Sequence, residues 1–461
     1  MLPCWSCGYL SVHSVGPRGL HLLATAALTV LLTFHLSRRI FRHPVRDAVA
    51  EALTGGTPVR SSKRPVLTAL GLSTGGAVIA GFLYSVYGYV FANGLCCADD
   101  AFIAVAAKNL ALGHGYATSV GGEGLRLFDP ALSTGPTLVI LAAVIIKIFG
   151  VTPWAPGLAT AVATTAVLSR IAFVLGRRIG QVRTVCYLAV MLTLMYTLTA
   201  GARFVHWYSL LGEVPAAMLT ILGVALLAWK PGRRRHALWP FLALGVAFMT
   251  KALALLAVVP VVIWLLIPLV RNRGRSARQW TDLAVGDAGF SLPVLLFEAW
   301  KVSSLGIDAY LVNVEDFGNF LASPGGTAGD ARSVWGRVVA NSSVLRDNYG
   351  FGPVALLLIV GALCAVVHAY TDAKTRVFCW LLLAGGATHV VWFVTASTGN
   401  PRYALIGLLV LASSAACVVV ARPPGMAVAA AVTAMTIAVV PAHARVLGPV
   451  SDARRGALFR P

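Results

Sequence analysis

The chain has 461 residues, 58% hydrophobic and only 12% charged, with 45 glycines and a mean hydropathy of +0.79; this balance excludes an ordinary soluble domain and points to an all-α integral membrane protein. The formal net charge of +20 sits in short gaps between apolar runs rather than over one surface, which argues for membrane topology and against a nucleic-acid partner. Among eight cysteines only Cys4 and Cys7 have a metal-like spacing, so the set reads as small buried hydrophobes.

Residues 1–65 form an N-terminal segment whose apolar stretch, Leu20 to Phe34, is either a short span or an uncleaved targeting segment. The gap 37–65 carries Arg38, Arg39, Arg42, Arg46, Arg60, Lys63 and Arg64 against Asp47 and Glu51, and is therefore cytoplasmic. A transmembrane domain over 66–442 follows, a polytopic bundle of about 11 to 13 spanning helices, with apolar runs at 66–91, 156–175, 184–200, 214–229, 281–300, 353–370, 377–396, 403–420 and 425–441. The first of these runs leads outward. It places 92–132, with Asp99, Asp100, Glu123 and Asp129 against Lys108 and Arg126, on the outer face.

If 133–150 crossed the bilayer, Arg177, Arg178 and Arg183 would land outside. The segment, which opens with "STGP" and contains Lys147, is instead expected to lie in the outer interface. The basic gaps 230–236, 271–278, 371–376 and 421–425 then all become cytoplasmic. Only the basic tail, 443–461, falls on the wrong side.

From Ala237 to Val270 the chain is apolar except for Lys251, about 50 Å of helix against a hydrocarbon core of about 30 Å. It must break, and "MTKA" is the natural place, because a lysine in mid-bilayer costs roughly 3 kcal/mol. Lys251 is then a snorkelling side chain or a cation that receives an anionic group. The same topology places Arg203, His206 and Glu213 at outer helix ends, with Arg402 and Tyr403 at an outer helix start where a cation opposes the helix dipole. These clusters, with Glu315 and Asp316, converge on one membrane face.

Asp99 and Asp100 precede "AFIAVAAKNLAL", an interfacial helix closed by Gly113, so either acid can cap it. One acid suffices for a cap, and the other is free for general-base work. No His, Cys or Asp spacing defines a zinc or calcium site, and no cofactor is expected, although the paired carboxylates leave a divalent metal open. The segment 301–350 reads as an outer loop or small lid. Asn341 in "NSS" matches a glycosylation triplet and receives no weight.

The stretch "ADDAFIAVAAKNLALGHGY" resembles the first outer loop of the GT-C superfamily of polyprenyl-phosphate-sugar-dependent glycosyltransferases: an acidic pair, an interfacial helix and a Gly-x-Gly end. "GPTLVILAAVIIKIFGVTPWAPGLATAV", "VLGRRIGQVR", "LGEVPAAML", "ALGVAFMTKALALLAVVP" and "PRYALIGL" are similar to the protein mannosyltransferase and aminoarabinose transferase branch, and together they cover 85–420. Two departures, Asp-Asp where several branches have Asp-Glu and "STGP" where a proline pair is common, keep the acceptor class from being carried over.

The resemblance implies inverting transfer of a sugar from a polyprenyl-phosphate donor to a hydroxyl of a cell-envelope glycan, lipid or protein, with Asp99 as the base. The growing charge on the leaving phosphate needs cations, for which Lys251 and Arg402 rank ahead of Arg203. Asp100 is expected to orient the acceptor or hold Asp99, and His206, Glu213 and Tyr403 to contact substrate. The rival is a polytopic transporter or lipid flippase, disfavoured by the absence of internal repeats and of mid-span charges. An Arg/Ala-rich composition suggests a bacterial plasma membrane.

Overall fold

The computed structural model describes residues 63–95, 98–119, 124–132, 134–201, 209–229, 235–271, 277–322, 333–350, 354–355, 358–363 and 373–417. The apolar stretch 20–34, the run 425–441, the C-terminal tail, Glu123, Arg203 and His206 lie outside the described residues.

The chain is an all-α membrane protein. In chain order the helices are α1 Lys63–Asn93, α2 Ala98–Ala111, α3 Pro136–Phe149, α4 Ala155–Ile179, α5 Gln181–Gly201, α6 Glu213–Trp229, α7 Arg235–Thr250, α8 Leu255–Arg271, α9 Ala277–Leu305, α10 Ile307–Ala322, α11 Val334–Tyr349, α12 Ala373–Ala396 and α13 Arg402–Ala416. Between α2 and α3 lies a small antiparallel hairpin, β1 Ala117–Thr118 and β2 Arg126–Leu127.

Among the described residues three helices are long and apolar enough to cross a bilayer: Ala155–Ile179, Trp280–Leu305 and Thr375–Ala396. Leu292, Leu295 and Leu296 of α9 are exposed, as side chains facing lipid rather than water would be. Seven shorter apolar helices accompany these three among the described residues.

At 14 residues, α3 is about 21 Å long and cannot cross a core of about 30 Å. It buries Leu138, Val139, Ala142 and Ile146 and exposes Ile140, Val144 and Ile148. The helix that follows, α4, has 25 residues.

α7 stops at Thr250, Lys251 takes an extended conformation (φ −153°, ψ 116°), and a 3₁₀ turn over Ala252–Ala254 leads into α8. α7 and α9 lie side by side because glycines replace side chains at the crossing: a Cβ on Gly245 would sit 2.3 Å from the carbonyl oxygen of Phe290.

The central helix is α13, in which every residue from Tyr403 to Ala416 is buried. Gly407 packs on His389 and Gly386 of α12, where added Cβ atoms would meet neighbours at 2.8 Å.

The segment 301–350, expected as an outer loop or small lid, is largely helical. Residues 301–305 end α9, and α10 and α11 fill most of the remainder. In α10, Ile307, Leu311 and Val314 recur at helical spacing, a period too short in extent to register as a spanning run.

Candidate active site

Four helix ends meet at one end of the bundle: the start of α2, the start of α6, the break between α7 and α8, and the start of α13. Each supplies one charged residue, respectively Asp99, Glu213, Lys251 and Arg402. Their assembly depends on backbone packing around Thr250. The Gly135 N–H donates to the Thr250 carbonyl at 3.1 Å, and a Cβ on Gly135 would lie 1.9 Å from the carbonyl oxygen of Met249.

Gly212, with φ +87°, approaches the same Thr250 carbonyl from the α6 side, and the Thr134 hydroxyl donates to the Leu211 carbonyl at 3.0 Å. "STGP" is therefore the joint that locks the Lys251 break against the start of α6. A proline-focused reading of that motif misses its glycine.

Lys251 and Glu213 form a buried ion pair, Nζ to Oε1 3.3 Å, with side chains 3% and 0% exposed. Neither Glu213 oxygen has a well-formed hydrogen bond among the described residues. Burial pulls the Lys251 ammonium below a lysine's ordinary value; Glu213 opposes that shift and Arg402 adds to it. The lysine expected to meet an anion thus already holds one from its own chain.

Arg402 reaches from the start of α13 to Asp99, its Nη1 donating to the Asp99 carboxylate. The arginine is 14% exposed and the aspartate 58%, so the acid stands at the surface and the cation lies largely buried beside it. Arg402 Nε is buried without a hydrogen-bond partner among the described residues, and the guanidinium lies over the Tyr403 ring, 5.4 Å from its centroid. Lys251 senses the charges of Arg402 and Asp99, and Arg402 that of Glu213; the four groups form one electrostatic unit of two acids and two cations.

Asp100 points the other way. It is 1% exposed and accepts from the Ser209 hydroxyl at 2.7 Å, while the Leu211 N–H donates to that same hydroxyl. Asp100 thus ties the start of α2 to the link entering α6 and is buried, unlike Asp99. Adjacent residues on a helix differ by about 100°, which separates the two aspartates into an outward and an inward acid. Tyr403 is buried beneath Arg402.

Glu315 and Asp316 do not join this unit. Asp316 accepts from Arg126 of the hairpin at 2.8 Å, and Asn313 donates to the Phe128 carbonyl at 2.9 Å, strapping α10 to the hairpin. Beneath that strap Tyr116, Phe128, Phe297 and Trp300 pack ring on ring. Among the described residues no three His, Cys, Asp or Glu side chains converge as a metal would require. Asn341 is fully buried and donates to the carbonyls of Phe393 and Ser397, which removes its amide from any glycosylating enzyme.

Two cavities lie elsewhere. One, of about 350 Å³, is apolar and lies between α1, α4 and α5; the other, of about 380 Å³, runs between α2, α3 and Trp300.

No family model matches the chain, and no curated protein matches it. The crystal structure of ArnT from Cupriavidus metallidurans bound to undecaprenyl phosphate is similar, with a TM-score of 0.48 at 15% identity over 74% of this chain and 59% of that one. The same protein in the apo state gives a TM-score of 0.44 at 15% identity, over 75% and 59%. This chain therefore spans less than two thirds of the length of the solved structures it matches.

Proposed function

We propose that the chain is a GT-C-type membrane glycosyltransferase that moves a sugar from a polyprenyl-phosphate donor to a hydroxyl of an envelope acceptor on the extracytoplasmic face of a bacterial plasma membrane. The observation that carries this reading is the exposed Asp99 carboxylate paired with the largely buried Arg402 guanidinium, a base and an anion receptor in contact at the rim of one site. The resemblance of "ADDAFIAVAAKNLALGHGY" to the outer loop of that superfamily supports it.

In this reaction Asp99 takes the proton of the acceptor hydroxyl as its oxygen attacks the anomeric carbon. The new glycosidic C–O bond forms on one face while the C–O bond to phosphate breaks on the other, with inversion. The bond's electron pair leaves on the polyprenyl phosphate, whose growing charge Arg402 meets. Lys251, compensated by Glu213, contributes from behind as part of a pre-organised field. Arg203 and His206 remain candidates for the donor phosphate and the sugar, and the acceptor is a glycan, lipid or protein.

Because Arg402 already holds Asp99, the donor phosphate displaces the carboxylate as it binds and thereby frees the base. The test incubates the purified chain in lipid with a panel of radiolabelled polyprenyl-phosphate sugars and compares wild type with Asp99→Asn. Sugar release or transfer by wild type alone is expected; equal rates from both proteins would sink Asp99 as the base, and lipid movement across the bilayer without sugar release would favour a flippase.

A further inference from the structure

Arg402 belongs to the five-residue neighbourhood of the link 397–401, where the chain turns from α12 into α13. The backbone there is held by side chains from outside the turn. The Tyr349 hydroxyl, from the last residue of α11, donates to the Pro401 carbonyl at 2.8 Å. His389 of α12 places Nε2 2.7 Å from the Tyr403 carbonyl; since a carbonyl only accepts, Nε2 carries the proton. The residues immediately before and after Arg402 are therefore both fastened, by two buried groups from two different helices.

A third bond secures the same link. Asn341, two turns before Tyr349 on α11, donates to Phe393 and Ser397 at 2.8 and 2.9 Å. Gly399, with φ +88°, leaves room for its amide, since a Cβ there would lie 2.6 Å from Asn341 Oδ1. Within the link the Asn400 side chain accepts from the Arg402 N–H at 3.2 Å.

This set exceeds what closing a helix–helix turn requires. Burial, with the Glu213 charge adding to it, holds the Tyr349 hydroxyl well above a tyrosine's ordinary value. His389 leaves Nδ1 buried without a partner among the described residues, so the ring gives up one hydrogen bond to keep the other.

We infer that Tyr349 and His389 are positioning residues for Arg402, clamping the peptide units on either side so that its guanidinium is presented at the site with a fixed aim. The part concerning donor affinity rests on Arg402 being the phosphate ligand; the clamp itself does not. A guanidinium binds two phosphate oxygens only within a narrow range of orientation, so a loosened backbone at 401–403 costs phosphate binding although neither clamp residue touches the ligand.

The test has two arms, each on the full chain in detergent or lipid nanodiscs. In the first, phenylglyoxal labels arginines and mass spectrometry reads the rate at each site. Arg402 is expected to label several-fold faster in Tyr349→Phe and in His389→Leu than in wild type, with His389→Gln, which keeps an N–H donor, restoring protection, and with the exposed Arg126 and Arg178 unchanged. Unchanged Arg402 labelling in both variants overturns the clamp, as does a parallel rise at Arg126 and Arg178, which would mean general loosening.

In the second arm undecaprenyl phosphate is titrated. Loss of one neutral hydrogen bond is expected to weaken binding about fivefold in Tyr349→Phe, and by nothing further when Arg402 is already replaced by Gln. Faster labelling with unaltered lipid affinity would leave the clamp standing and remove Arg402 from donor binding.

Discussion

Arg402 and Asp99 lie 303 positions apart in the chain, yet they form an ion pair in which the cation is largely buried and the acid largely open. Neither is held in place by this contact alone, because each stands on its own braced helix start. The pair is an acid and a cation that neutralise each other across two distant helix starts.

Replacing Asp99 by Asn should therefore act in opposite directions on two measurements. Transfer falls by roughly two to four orders of magnitude, the usual contribution of a general base. Affinity for undecaprenyl phosphate, measured by titration, rises because the competing carboxylate is gone. A loss of affinity would show that Asp99 does not compete for Arg402.

Lys251 and Glu213 make the complementary prediction. Lys251→Met removes the ion-pair partner of a buried carboxylate and should cost about 3–5 kcal/mol in unfolding free energy, as should Glu213→Leu by removing that of the buried ammonium. The double variant should recover most of that loss. Measured by reversible unfolding in mixed micelles, additive single costs would show that the two charges do not depend on each other.

The exposed pair Arg126 and Asp316, with side chains 57% and 43% exposed, should behave differently. Arg126→Ala is expected to change stability by no more than about 1 kcal/mol and to lose even that at high salt. The contrast with Lys251→Met in the same unfolding assay checks that burial, not pairing as such, sets the cost.

Gly135→Ala tests the joint beneath the site. The added methyl carbon collides with the backbone of Met249, and backbone can move only by disturbing α7. A cost of roughly 1–3 kcal/mol is expected, together with lower activity because the Lys251 break shifts. An Ala variant that melts and transfers like wild type would show that the joint is not tight.

Much of this architecture was legible along the chain. The excess length of 237–270 and the single lysine within it place the break at Thr250 and Lys251, because hydrocarbon thickness and the cost of a buried charge act on local sequence. The arginines of the following gap, rather than length, set 133–150 apart along the chain, and the structure gives that segment a helix of 14 residues. Gly113 closes α2 with φ +86°, in keeping with a glycine stop.

What the sequence by itself determined is the helical class, the break at Lys251 and the helix starts that carry Asp99, Glu213 and Arg402, whereas the helices α10 and α11 escaped it. Only the tertiary structure decided their partners: that Glu213 takes Lys251, that Asp99 rather than Asp100 meets Arg402, that Asp316 goes to the hairpin, and that Asn341 and Tyr349 hold a turn some fifty residues later. The physical reason is one of range. Hydropathy and helix-end preferences act over a few turns, whereas the rotation of a helix about its axis, which sends one aspartate out and its neighbour in, is set by packing against helices hundreds of residues away.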